Sequence, residues 1–214
     1  MAFKNIFNWL GGGRAKSKAA SAAKNAPLAV VISGPGVLRE EHEIVERLFA
    51  AGMARFHLRK PDWTPARVRE WVKQFPERHY PRLVVHAQHG VVREFGLGGL
   101  HLRSSQERPS DWPHEIPVSQ SCHSYGDLLE SARGCTYATI GPIFPSVSKH
   151  GYVPQRTPEE YAVIVEHWRE EKGACPLVAL GGLTTENIAR ARAIGFDGFA
   201  VVGAVWEAQE PVEA

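Results

Sequence analysis

The residues best suited to chemistry in this chain are histidines that stand beside basic and glycine-rich segments. Ser121-Cys122-His123-Ser124 places an imidazole between a short β-rich run and the start of a helix. Imidazole titrates near pH 6.5 without tuning, so His123 is a candidate proton carrier. Its plainer role is to order the helix start, with Ser124 as N-cap. Ser121 is a candidate to hold substrate. His57, His86 and His101 stand at the ends of other β-rich runs. Imidazole suits zinc or iron. These three have no short ligand spacing, however, and histidines near an anion pocket commonly serve as hydrogen-bond partners, so no metal is expected. Arg59, with its planar fork of donors, is a candidate partner for a carboxylate or phosphate. Lys60 follows it directly.

Anion chemistry has a second set of candidates. Gly181-Gly182, in LGGLTTENI, precede a helix start, and Val202-Gly203, in VVGAVW, follow a β-rich run. Unencumbered backbone N–H groups at such places bind anions. The same glycines also serve simply to turn the chain. Ser146, Ser148 and Lys149, in GPIFPSVSKHGY, can donate to an anion from the opposite side, or belong to ordinary turn chemistry. Cys122 neighbours His123, but adjacent strand residues point to opposite faces, which argues against a Cys–His nucleophile pair.

The elements that must position these residues form a rhythm. Eight β-rich runs are expected at 28–33, 55–59, 83–86, 99–102, 116–121, 137–140, 177–180 and 198–202. Helical patterns separate most of them. Val68, Trp71, Val72 and Phe75 share one helix face behind Thr64 as N-cap and Pro65 at N1. Thr157 with Glu160 forms a capping box around Pro158. A further helix starts near Thr184 and stops before Gly195. Alternating βα units imply a parallel sheet, and eight of them fit a single (β/α)₈ TIM barrel, α/β in class, over residues 27–214. The helix between the fourth and fifth strands is abbreviated. A doubly wound sheet is the alternative, but the first βα turn lacks a full dinucleotide fingerprint. In a barrel the candidates above all fall at the carboxyl ends of strands, where barrel active sites lie, and the loops after strands seven and eight frequently hold phosphate.

Residues 1–26, with their Ala/Ser/Lys tract and three glycines, are expected to form a flexible basic extension. They lack the continuous apolar segment of a secretory signal. The formal charge of +2 gives no nucleic-acid or membrane footprint. Three cysteines at no metal-binding spacing favour reduced thiols and a cytoplasmic protein. No apolar run approaches the roughly 20 residues of a membrane span. Oligomeric state is open, a homo-oligomer being compatible with the sequence.

Six collinear fragments, HLRKP, GLHLR, SCHS, GPIFPSVSK, VALGGLTTENI and GFAVVGAVW, resemble the thiamin phosphate synthase family and its TenI-type thiazole tautomerase branch, from about Leu28 to Trp206. The resemblance implies a (β/α)₈ barrel that binds a thiazole phosphate as its small-molecule substrate. It implies phosphate binding at Gly181, Gly182, Val202 and Gly203. The family's P-T-x-T-K motif reads here Pro145-Ser146-Val147-Ser148-Lys149, which keeps the hydroxyls. Its Q-L-R-x-K motif reads His57-Leu58-Arg59-Lys60-Pro61. The two aspartates that hold Mg²⁺ in the synthases fall on His86-Ala87 and near Gln106. That departure favours the tautomerase branch, in which the histidine after strand five, here His123, moves a proton. No cofactor is then expected, Mg²⁺ being required only of a synthase. A synthase recruiting Asp62 or Glu107 for Mg²⁺ is one alternative, and a non-catalytic sensor of thiazole or thiamin phosphate is another.

Overall fold

The computed structural model describes residues 27–34, 36, 40–104, 106–146 and 153–210. The eight strands are β1 Leu28–Ile32, β2 Arg55–Leu58, β3 Leu83–Val85, β4 Gly99–Leu102, β5 Val118–Cys122, β6 Tyr137–Ile140, β7 Leu177–Leu180 and β8 Gly198–Val201. They close into one barrel in chain order, every pairing parallel, with β8 returning to β1. Closure in that order is the (β/α)₈ barrel and rules out the doubly wound sheet. The fifth strand begins and ends slightly later than its β-rich run suggested, because Pro117 lies outside the ladder and Cys122 pairs with Ile140.

The helices are α1 Glu41–Ala50, α2 Pro65–Val72, α3 His89–Phe95, α4 Tyr125–Asp127 with its widened continuation Leu128–Ala132, α5 Pro158–Glu170, α6 Ile188–Ile194 and α7 Gly203–Trp206. Their starts follow local chemistry. Thr64 accepts from Arg67 N–H, Ser124 accepts from Asp127 N–H, and Thr157 with Glu160 completes a capping box. Between β4 and β5 no helix forms among the described residues. After β7 the chain first makes a turn in which Thr184 N–H donates to Asn187 Oδ1, so the regular helix starts at Ile188 rather than Thr184. No helix is long and apolar enough to cross a membrane among the described residues.

Strand alternation divides the side chains between the helical layer and the barrel interior. On β2, Phe56 faces outward and stacks on Trp71 of α2 at 5.6 Å between centroids. Trp63, Trp71 and Trp168 all pack into the outer cores. The interior is split by chemistry. Val30, Ile32, Val178 and Ala200 of β1, β7 and β8 pack with Tyr137. Polar inward positions lie beside them: His57, His101, Ser119 and Thr139 are all buried there, with Ser121 half-buried above them.

Candidate active site

The mouth of the barrel is assembled by contacts between successive strand ends. On the β1–β2 side, Ser33 Oγ accepts from Arg59 N–H at 2.8 Å and donates to Arg59 O at 3.2 Å, which fixes the backbone of Arg59 while its side chain stays exposed. Lys60 departs from expectation. Its ammonium is buried, donates to Glu41 Oε1 at 2.8 Å and Gly34 O at 3.0 Å, and also bonds Gly36 O. Three acceptors use all three N–H donors, so Lys60 is a clamp on the turn after β1 and has no donor left for substrate. Trp71 Nε1–H satisfies the other Glu41 oxygen at 3.1 Å.

On the opposite side, His123 follows β5 and is exposed. Its Nδ1 lies 3.2 Å from Gly141 O. A carbonyl can only accept, so this bond places a proton on Nδ1, and in the neutral ring the lone pair is then on Nε2. Asp127 Oδ2 accepts from His123 N–H at 2.7 Å, and Arg156 donates to His123 O at 2.8 Å, so the residue is held at both backbone groups. Ser124 caps α4, as the sequence suggested. Cys122 turns away into the outer core, where burial pushes its thiol up to about 12.

The segment after β6 is bonded to the end of β7. Ile143 N–H donates to Leu180 O at 3.0 Å and Phe144 N–H to Gly181 O at 3.2 Å. Gly181 and Gly182 have φ of 94° and 65°. A Cβ at Gly182 would lie 2.3 Å from Pro145 O and 2.4 Å from Phe144 O. The glycine pair is therefore required for the two loops to touch; half-buried Ser146 follows Pro145 in the chain. Gly182→Ala is expected to cost about 1–3 kcal/mol, because it adds left-handed strain and a backbone clash; urea unfolding of the variant measures it. At β8, Val202 precedes α7, whose internal bonds begin with Val205 N–H on Val202 O. Gly203 and Ala204 N–H thus lie in the first turn, where helix N–H groups have no intrahelical acceptor. Ser148 and Lys149 lie outside the described residues.

Inside the barrel, the three remaining histidines converge. His57 Nδ1 and His86 Nε2 are 3.0 Å apart, and His57 Nε2 is bonded to the Tyr137 hydroxyl. His101 Nδ1 lies 2.8 Å from Ser119 Oγ and its Nε2 lies 2.7 Å from Ser121 Oγ. Burial holds all three imidazoles below their ordinary range, His101 at about 3. Ser121 therefore faces His101 and the interior, not a position beside His123. Sequence reasoning missed Tyr137, Ser119 and Thr139. The available signal was alternation: Ser119 and Ser121 are two residues apart on one strand, as are Tyr137 and Thr139, and each pair shares a face.

The positions matched to the synthases' magnesium ligands carry no carboxylate. His86 is bonded to His57, and Gln106 Oε1 accepts from Arg103 N–H at 3.0 Å. Mg²⁺ prefers hard oxygen donors, usually with one or two carboxylates. Ala87, which takes the place of the first aspartate, and the engaged amide of Gln106 do not fit it.

Comparison with known proteins agrees with the barrel. A putative thiamine-phosphate synthase of Geobacter sulfurreducens is 27% identical over 180 residues, covering 79% of this chain and 81% of the relative. A thiamine-phosphate synthase of Listeria welshimeri is 29% identical over 126 residues, covering 56% of this chain and 59% of the relative, so the match spans less than two thirds of that protein's length. The crystal structure of thiamine phosphate pyrophosphorylase from Bacteroides thetaiotaomicron superposes with a TM-score of 0.70 at 28% identity, covering 84% of this chain and 85% of that one. The thiamine phosphate pyrophosphorylase structure from Pyrococcus furiosus, at 23% identity and a TM-score of 0.67, shares the fold. The sequence profile of the family described as thiamine monophosphate synthase matches residues 28–205, and this chain belongs to that family.

Proposed function

We propose that this family member is a metal-independent thiazole tautomerase, which binds a thiazole phosphate and uses His123 as the proton shuttle. The observation that carries the proposal is the anchoring of His123 Nδ1–H on Gly141 O, which leaves Nε2 as a base on an exposed ring at the barrel mouth. Nε2 takes a proton from one atom of the bound ring system and returns it to another, so no proton is gained or lost overall. The phosphate is held by the Gly181-Gly182 turn and the Val202-Gly203 turn, with Ser146 and, from the sequence, Ser148 and Lys149 across from them. Arg59 supplies a fork for a carboxylate. The chain's residues do not fit Mg²⁺ at the matched positions, which supports the tautomerase branch.

The second reading is a thiamin phosphate synthase, favoured by the names of the relatives. Asp62 and Glu107 are both exposed and supply the nearest carboxylates. A paired assay separates the two. One arm supplies hydroxymethylpyrimidine pyrophosphate, hydroxyethylthiazole phosphate and Mg²⁺ and follows thiamin phosphate. The other supplies the unaromatised thiazole carboxylate phosphate and follows its tautomer. The expected result is conversion in the second arm only, unaffected by chelator, and reduced at least about a hundredfold in His123→Ala. Mg²⁺-dependent thiamin phosphate formation sinks the tautomerase assignment.

A further inference from the structure

The three inward histidines come from consecutive strands: His57 on β2, His86 just after β3 and His101 on β4. Each offers a ring nitrogen, and these atoms all lie within 4.8 Å of one another. The ring centroids are 4.4 to 5.2 Å apart. It is the only such group of potential metal ligands among the described residues. A tetrahedral ion with metal–nitrogen bonds of about 2.0–2.1 Å needs nitrogens roughly 3.3 Å apart. His57 Nδ1 and His86 Nε2 already approach more closely than that across a hydrogen bond. An ion takes the place of the bridging proton, which moves to His86 Nδ1, and His101 has to draw in.

We propose that His57, His86 and His101 form a site for a borderline divalent transition ion of the Zn²⁺ class, inside the barrel beneath the mouth. The surroundings select the ligating atoms. Ser119 Oγ donates to Leu100 O at 3.5 Å, so it accepts from His101 Nδ1–H and turns Nε2 into the free lone pair, now covered by Ser121. Tyr137 stands against His57 Nε2, which directs Nδ1 to the ion. This is the outer arrangement of a metal-bound imidazole, whose second nitrogen donates to a fixed oxygen. The donors are three neutral imidazoles with no carboxylate, a set suited to zinc, copper, iron or nickel and not to magnesium. Three protein ligands leave a fourth position for water. Binding detaches His101 Nε2 from Ser121, so occupancy is felt at the floor of the mouth. The inference does not depend on the tautomerase assignment.

The test uses the full chain without an affinity tag, stripped by chelator and titrated calorimetrically with Zn²⁺ and, separately, Mg²⁺. One Zn²⁺ per chain is expected, with no competing Mg²⁺ site. At a hundredfold excess over Kd the melting temperature should rise by about 5–10 °C. X-ray absorption at the zinc edge of the loaded wild type should show three imidazoles, a readout that needs no variant. His101→Gln should weaken binding at least tenfold, and Tyr137→Phe, which keeps the ligands and removes the oxygen behind His57, about 10–100-fold, each with an unchanged circular dichroism spectrum. Absence of stoichiometric Zn²⁺ binding overturns the proposal. So does binding that both variants retain at full strength, or an absorption spectrum with fewer than three imidazoles, since either would place the ion on other histidines.

Discussion

Lys60→Met is expected to lower the unfolding free energy by about 3–5 kcal/mol, one of the two largest effects of any single change considered. The side chains of Lys60 and Glu41 are only 2% and 3% exposed. Truncating the cation leaves Glu41 buried with only the Trp71 indole as a partner, and strips the donor from Gly34 O and Gly36 O. Burial already raises the Glu41 carboxyl above its ordinary value, while Lys60 and Trp71 pull it back down. Losing Lys60 removes the stronger opposing influence and raises it further. A carboxyl raised in the folded state contributes stability below its unfolded value and loses it as pH rises through the folded one. The cost of Lys60→Met should therefore grow from pH 5 to pH 8. Pairing it with Glu41→Gln should recover part of the loss by removing the buried charge. Urea unfolding of the three variants at two pH values decides it, and a single variant within about 1 kcal/mol of wild type at pH 8 would show that water reaches the pair.

Much of the barrel was legible because its signals are local. Thr64-Pro65 and Thr157-Pro158 announce helix starts through their own backbone needs, and the β-rich runs recur at short spacing. The glycines after β7 were legible as a turn, and the structure adds the reason: the loop after β6 occupies the space a side chain would need. The fate of Lys60 was hidden for the opposite reason. Its partner Glu41 lies nineteen residues earlier, at the start of α1, and a charged residue beside a helix start reads as a solvated face until the fold buries it. The histidine cluster was hidden likewise. His57 and His86 are twenty-nine residues apart, so a search for ligand spacing finds nothing, whereas parallel register sets their strands side by side and alternation turns them inward. The placing of His123 at the mouth was legible because it rests on its own tetrapeptide and the strand end beneath it. Ser121 shared that tetrapeptide but faces the interior, since neighbours two apart on a strand share a face and its face is that of Ser119 and His101.

Metal-stripped protein should lose several kcal/mol of stability as the pH falls from about 6.5 toward 5 and below, with a slope that approaches three protons. His57, His86 and His101 all have folded values depressed chiefly by burial. Burial alone brings His101 to about 3. His57 is held down further by His101 and Arg55, and His86 by His101, His57, Arg59 and Arg103. In the unfolded chain each binds a proton near 6.5. The folded state therefore carries fewer protons throughout the window, so stability is full above the unfolded value and falls with pH, by up to about 1.4 kcal/mol per unit for each group. The upper part of the window is diagnostic because ordinary carboxylates titrate below it. Glu41, raised by burial, acts in the opposite direction, and His79 and His89, also lowered chiefly by burial, add to the count. Urea midpoints between pH 7 and 5, converted with a constant m-value, give the proton count directly. His101→Gln should reduce that count by about one, provided its far-ultraviolet spectrum matches wild type. A flat profile over this interval would mean that the imidazoles take up protons without unfolding, and that the interior between β2 and β5 is wet.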